Sequence, residues 1–472
     1  MRQFQLLLLL TFLFAKISLA QTSVVGIWQG TINAGLQLRL VFHISADSTG
    51  KLITVMDSPD QNSKGFPTSG TSIKGDSLII EVSSVNGRYA GKIKNSSTIN
   101  GEWSQGKLFP LDLKKVDHVE ELIRPQTPKP PFPYKSDSVE YDGANTKLQY
   151  GATITIPNGR GPFPALVMIT GSGQQGRDED LLGHRPFAVI ADYLTKNGYV
   201  VLRVDDRGKG KSTGDFENST SQDFANDVEE SLNYLNTRKE VNHKKIGLIG
   251  HSEGGMIAPM VAIKRKDVSF IVLLAGPGVK ITQLMTEQNG AILESVGIVH
   301  SASEKFLSLY KSMIEIIPGA DSKETAKEKV NQLVTTWQQQ TPSAAVRATT
   351  GIYDDSSRNK YVNTIVDGLY NPWFRFFLGY DPAPAIQKLS CKVLALNGSK
   401  DVQVISKSNL AGIDSALKKS KSPSYKTQEL PGLNHLFQHC KSCQLAEYGK
   451  LEETFSPEAL DIIRDWLNKE VK

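Results

Sequence analysis

The chain has 472 residues, enough for two or three domains, and its 54 Lys and Arg against 49 Asp and Glu leave a formal charge of +5. With no basic stripe and no acidic tail, that balance excludes nucleic acid as a partner. Three cysteines, Cys391, Cys440 and Cys443, are too few for a disulfide scaffold.

Residues 1–20 read as a signal peptide. Arg2 gives the positive start, Leu6 to Ala15 the apolar run, and Ser18-Leu19-Ala20 a small-residue cleavage site before Gln21. The competing reading is a membrane anchor, but a span needs about 20 apolar residues and this run is shorter. No later segment is long and apolar enough to cross a bilayer, and no cysteine stands at the cleavage site to carry a lipid. The expectation is export to the periplasm or medium, with no integral membrane segment after signal removal. There Cys440 and Cys443 can bridge, leaving Cys391 in a buried strand. A zinc site of His435, His439, Cys440 and Cys443 is the alternative. All four fall within nine consecutive positions, whereas structural zinc sites join separated ligand pairs, so no metal is expected.

Residues 22–116 carry short alternating runs such as Leu36 to Phe42 and Ser77 to Val82, separated by turns at Asp47-Ser48-Thr49-Gly50 and Lys74-Gly75-Asp76. Gly26-Ile27-Trp28 recurs loosely as Gly87-Arg88-Tyr89 and Gly101-Glu102-Trp103. The pattern predicts an antiparallel, barrel-like accessory domain. Residues 117–135 form a linker with five prolines between Pro125 and Pro133.

From 136 to 472 continuous apolar strands alternate with helices. Strands are expected at Ala165–Thr170, Tyr199–Val204, Lys245–Ile249, Phe270–Ala275 and Cys391–Leu396, with helices near Phe187–Lys196, Phe224–Thr237 and Pro457–Lys469. Such alternation implies a mostly parallel sheet with helices on both faces. Between about 280 and 380 it stops. Phe306, Leu309, Tyr310, Met313 and Ile317 fall at helical spacing, as do Val330, Val334 and Trp337. Thr341-Pro342 reads as an N-cap followed by proline at the first helical position. This is a helical cap, expected to act as a lid.

Gly250-His251-Ser252-Glu253-Gly254 spells G-x-S-x-G between a strand and a helix, the setting of a nucleophile elbow. A serine needs a base to take its proton and an acid to orient that base. Asp401 follows the Cys391–Leu396 strand and His435 follows the strand at Tyr425–Leu430, so the chain order is Ser252, Asp401, His435. Asp354, Asp355 and Asp367 lie in the insertion, Asp381 precedes its strand, and His439 is one turn beyond His435. His251 sits in the elbow, where it cannot turn back on Ser252. The oxyanion donors are the N–H of Glu253 and, from the loop Gly171-Ser172-Gly173-Gln174-Gln175-Gly176, that of Ser172, with Gly173 next. No Gly-Lys-Ser/Thr ending makes that loop a phosphate cradle. Asp205-Asp206-Arg207-Gly208 is read as tying this region down. Arg177, Asp178 and Glu179 lie at the pocket's edge, and Trp373-Phe374-Arg375-Phe376-Phe377 either lines an acyl pocket or packs as core.

Thr170-Gly171-Ser172-Gly173, Asp205-Asp206-Arg207-Gly208, Gly250-His251-Ser252-Glu253-Gly254-Gly255 and Leu433-Asn434-His435-Leu436-Phe437-Gln438 resemble the α/β-hydrolase superfamily, in particular secreted bacterial serine esterases of the EstD type. Tyr380-Asp381-Pro382-Ala383-Pro384 and Asp401-Val402-Gln403-Val404 are also similar. The likeness covers about 135 to 472 and lacks the His-Gly-Gly-Gly of many lipases. It implies an α/β-hydrolase fold with a helical cap. It also implies a serine carboxylesterase acting on a small-molecule ester without a cofactor, with nucleophile, acid and base at Ser252, Asp401 and His435. The alternatives are a serine peptidase of the prolyl-oligopeptidase or dipeptidyl-peptidase type, an acyl thioesterase, and a binding protein on a dead hydrolase scaffold.

Overall fold

The computed structural model describes residues 24–33, 37–61, 63–119 and 123–472; the expected signal peptide over 1–20 lies outside them. The chain divides between Arg124 and Pro125, except that Leu181–Gly183 belongs with the N-terminal unit. Sequence places that tripeptide with the second body. It returns because Leu182 is buried and its carbonyl accepts a hydrogen bond from Arg124 Nη2 at 2.9 Å.

Among the described residues the N-terminal unit is one antiparallel sheet. Its strands are β1 (Gly26–Asn33), β2 (Gln37–Ala46), β3 (Leu52–Ser58), β4 (Ser63–Pro67), β5 (Gly70–Lys74), β6 (Ser77–Val82), β7 (Gly87–Asn95), β8 (Thr98–Gln105), β9 (Lys107–Pro110) and β10 (Leu113–Val116). The spatial order is β4-β3-β2-β1-β10-β8-β7-β6-β5, with β9 on β8. Alternate residues point inward, as along β6, where Leu78, Ile80 and Val82 are buried. The repeated glycine-x-aromatic motif has a packing cause. Trp28, Tyr89 and Trp103 fill one core with Phe42, whose ring lies 5.6 Å from Tyr89 and 6.2 Å from Trp103. A Cβ at Gly87 would fall 2.3 Å from the Trp103 ring, so the glycine makes room for the next strand's indole.

The second unit holds β11 (Lys135–Asp142), β12 (Gln149–Ile156), β13 (Phe163–Ile169), β14 (Val200–Val204), β15 (Val241–His251), β16 (Val268–Leu274), β17 (Lys392–Gly398) and β18 (Tyr425–Leu430). Their order is β11-β12-β14-β13-β15-β16-β17-β18. β11 and β12 pair antiparallel, and every pairing from β14 to β18 is parallel. It is a mixed sheet, apolar on both faces and packed by helices. The helix expected from Phe224 begins earlier, at Ser221, because Thr220 and Asp223 form a capping box.

Between β16 and β17 the chain is helical: Ile281–Ser295, His300–Gly319, Lys323–Gln340, Ser343–Thr350, Asp355–Leu369, Pro372–Leu378 and Ala383–Ile386. The periodic residues Phe306, Leu309, Tyr310, Met313 and Ile317 are buried, as are Val330, Val334 and Trp337. One expectation fails by a residue. Thr341 ends the preceding helix, and Pro342, not Thr341, caps the next, which starts at Ser343.

Candidate active site

Parallel strands deliver their C-terminal ends to one edge of the sheet, and loops from four of them meet there. β13 leads into the loop at 170–176, β15 into the elbow, β17 into Asp401 and β18 into His435.

At the elbow Ser252 adopts φ 53° and ψ −117°, a left-handed conformation unusual for a non-glycine residue. Its own N–H is committed to Leu274 O at 2.8 Å. The flanking glycines are steric necessities. A Cβ at Gly250 would lie 2.0 Å from Gly254 O, and one at Gly254 would lie 2.2 Å from Ile169 O. Glu253 opens the helix Glu253–Ala262, where the first backbone N–H groups have no acceptor within the helix. A Cβ at Gly171 would lie 3.2 Å from the Ser252 Cβ, so the 170–176 loop abuts the elbow. Ser172 and Gly173 are exposed in that loop.

Asp401 and His435 come together. His435 Nδ1 lies 2.8 Å from Asp401 Oδ2, and both side chains are buried. Asp401 Oδ1 accepts from the N–H groups of Gln403 and Val404 at 2.7 and 2.9 Å, which fixes the carboxylate. The two loops brace each other: Lys400 N–H donates to Leu433 O, and Gly432 N–H to Ser399 Oγ, both at 2.9 Å. Among the described residues no hydrogen bond within 3.5 Å joins the Ser252 hydroxyl to His435.

The rival acids and bases have other partners. Asp354 caps its helix, Asp355 pairs with Arg358, Asp367 pairs with Lys323, and Asp381 accepts from the Ala383 N–H. His439 pairs with Glu453 on the surface. Cys440 and Cys443 are bonded to each other, which takes both thiolates away from any metal.

The Asp205–Arg207 stretch holds loops. Arg177 forks onto Asp205, and Arg207 onto Asp227. Asp206 clasps both ends of the 170–176 loop, accepting from Thr170 Oγ1 and from the Gln175 N–H, each at 2.7 Å. Burial pushes Asp206 up to about 7. Of the pocket-edge candidates, Arg177 pairs with Asp205, Asp178 with Arg203, and Glu179 turns inward, buried.

The Glu253 side chain, which sequence reasoning left aside in favour of its N–H, joins the insertion to the elbow. Its Oε1 accepts from Ser221 Oγ at 2.6 Å and from Trp373 Nε1 at 2.8 Å. Burial raises its pKa, and the hydroxyl and indole donors only partly offset this. Trp373 in turn stacks on Phe377, with ring centroids 4.9 Å apart. Sequence reasoning named His251 and Glu179 separately, and missed that they pair. His251 is buried, with Nδ1 3.0 Å from Glu179 Oε1 and Nε2 3.0 Å from the His435 carbonyl oxygen. Nothing in the spacing signals this, since Glu179 is 72 residues before His251.

A family model described as X-Pro dipeptidyl-peptidase (S15 family) matches residues 142–411, more than half of the chain. Esterase EstD of Thermotoga maritima is 32% identical over 165 residues, 35% of this chain and 39% of that protein. Acyl-coenzyme A thioesterase 1 of Mus musculus is 32% identical over 127 residues, 26% of each chain. The chain thus spans well under two thirds of the length of these relatives. An esterase structure from Pyrococcus furiosus aligns over 75% of this chain and 100% of its own, at 12% identity and a TM-score of 0.43.

Proposed function

This chain belongs to the X-Pro dipeptidyl-peptidase (S15) family, and we propose that it is a serine hydrolase that cleaves carboxylic esters through an acyl-enzyme. The observation that carries this is the Asp401–His435 pair at 2.8 Å, at the strand edge where Ser252 occupies a strained elbow. In the proposed reaction Ser252 Oγ attacks the ester carbonyl while His435 Nε2 takes its proton. Asp401 holds the ring through Nδ1 and stabilises the imidazolium. The Glu253 and Ser172 N–H groups receive the oxyanion. His435 then gives the proton to the leaving alcohol, and water, activated by the same ring, frees the acid and Ser252. No step calls for a cofactor. Export through the N-terminal twenty residues, and a lid role for the insertion, belong to the same proposal.

The match to EstD supports the ester over the amide. A peptidase reading draws on the family's description, and a thioesterase reading on the mouse relative. One assay separates them: a graded p-nitrophenyl ester series beside aminoacyl-p-nitroanilides and acyl-coenzyme A, with Ser252→Ala as control. Esters are expected to turn over fastest. Faster anilide turnover would overturn the ester assignment, and undiminished activity in Ser252→Ala would overturn the mechanism.

A further inference from the structure

Glu179 and His251 are buried, chemically capable groups that the proposed reaction does not use. Glu179 is held at φ 52°, a conformation that costs a non-glycine residue energy and so needs a reason to persist. Its Oε1 accepts from the Gly171 N–H at 2.7 Å, at the start of the oxyanion loop, and faces His251 Nδ1 at 3.0 Å. On the other side, His251 Nε2 faces the backbone carbonyl of His435. A carbonyl only accepts, so Nε2 carries a hydrogen; the carboxylate takes the hydrogen of Nδ1. A neutral imidazole has one N–H, so a ring serving both partners is the imidazolium.

The setting is apolar. Phe187, Ile190, Leu274, Leu436 and Phe455 line a small cavity together with the pair. Burial opposes a charge on His251, but the Glu179 carboxylate and the His435 carbonyl outweigh it, with a further pull from Asp401, and its pKa lies above the ordinary value. The His251 and His435 rings lie 4.8 Å apart, without a direct hydrogen bond between them.

We propose that Glu179 and His251 are positioning residues: their ion pair ties the loop that carries an oxyanion donor to the backbone of the residue that supplies the base. Gly171 is fixed beside Ser252 at one end of this tie and His435 at the other. The inference rests on the serine-hydrolase reading. Displacing either loop by an ångström would cost on the order of 100-fold in rate without removing any group that touches substrate.

The test uses Glu179→Gln, His251→Gln and the double variant of the full chain. Active sites are counted by fluorophosphonate labelling, and kcat is expressed per labelled site. On an ester substrate kcat per site is expected to fall on the order of 10- to 100-fold with KM nearly unchanged. The double variant is expected to be no worse than the poorer single one, because both cut the same tie. Fewer labelled sites with wild-type kcat at each would mean a purely structural pair and would overturn the inference. Ser252→Ala run alongside separates the two failures: if it is dead while the Gln variants keep wild-type kcat, only the positioning role falls. If Ser252→Ala stays active, the hydrolase reading falls and takes this inference with it. Nitrogen NMR of the unaltered protein supplies a readout independent of how the variants fold. Two protonated ring nitrogens on His251 at neutral pH are expected, and a single one would overturn the tie.

Discussion

The indole N–H of Trp373 donates to Glu253 Oε1 at 2.8 Å, joining the helical insertion to the residue after Ser252. The bond spans 120 positions of sequence and ends on a buried carboxylate whose other donor at that oxygen is Ser221 Oγ. A carboxylate in that position is costly unless its donors stay in place. The insertion is therefore anchored beside the elbow by a polar contact as well as by apolar packing.

Trp373→Phe keeps an aromatic ring and removes the donor. It is expected to destabilise the protein by about 1–3 kcal/mol, the cost of depriving a buried acceptor of a partner. Trp373→Ala also removes the ring and its stack on Phe377, and is expected to lower the melting temperature further than Trp373→Phe. Unchanged melting temperatures would count against the anchoring role of the residue.

Ser252→Ala is expected to lower ester turnover to background. Asp401→Asn leaves the shape of the site intact but favours the wrong His435 tautomer, with an expected loss on the order of 10,000-fold in kcat. Steady-state kinetics on one ester check both. An Asp401→Asn variant within a few-fold of the parent would mean that another group orients His435.

The elbow glycines are predicted to tolerate nothing larger. Gly254→Ala places a methyl 2.2 Å from Ile169 O, a backbone atom that cannot swing away. The expected result is a loss of more than about 2 kcal/mol, or no folded protein at all. Gly368, in the helix Asp355–Leu369, is exposed, and beyond its chain neighbours and its own helix backbone nothing lies within 4 Å of where a methyl would sit. There Gly368→Ala is expected to stabilise by about 0.5–1 kcal/mol. Thermal melts of the two variants should therefore move in opposite directions.

Asp206 sets a pH dependence. Its pKa is about 7 in the folded chain against an ordinary 3.8, so between those values the native state holds a proton that the unfolded state has released. Stability from this group is fully present below about pH 4 and is lost as pH rises through 7. Asp206→Asn removes that contribution. Denaturant titrations at several pH values should show the parent losing stability relative to the variant between pH 4 and 7. Parallel curves would mean that Asp206 does not titrate there.

Much of the second unit follows from local rules. The strand Ala165 to Ile169 is apolar at every position and occupies a central place in the sheet, while the period of Phe306, Leu309, Tyr310, Met313 and Ile317 gives the buried face of a cap helix. The convergence of the loops that carry Ser252, Asp401 and His435 was legible because parallel strands deliver the loops that follow them to one end, so position after a strand is already a spatial statement. The cap boundary at Thr341 slipped by one residue because a Thr-Pro pair suits the end of one helix as well as the start of the next. In the N-terminal unit the glycine-x-aromatic repeat was visible. What one of its glycines does, Gly87 yielding space to the Trp103 indole on the next strand, depends on which strands are neighbours.

By itself the sequence determined the strands of the second unit from β13 onward, their order, the elbow and the loops that carry Asp401 and His435, since each rests on periodicity or on residues within a few positions of one another; it did not announce β11 and β12. The tertiary structure decided what lies between those parts. It set Glu253 against Trp373, Asp206 across both ends of the 170–176 loop, and Glu179 against His251 and thence the His435 backbone. These are single hydrogen bonds between groups 31 to 184 positions apart, and no local pattern encodes them. They form because burial removes water as a competing partner and leaves each group only the partners that the fold brings to it.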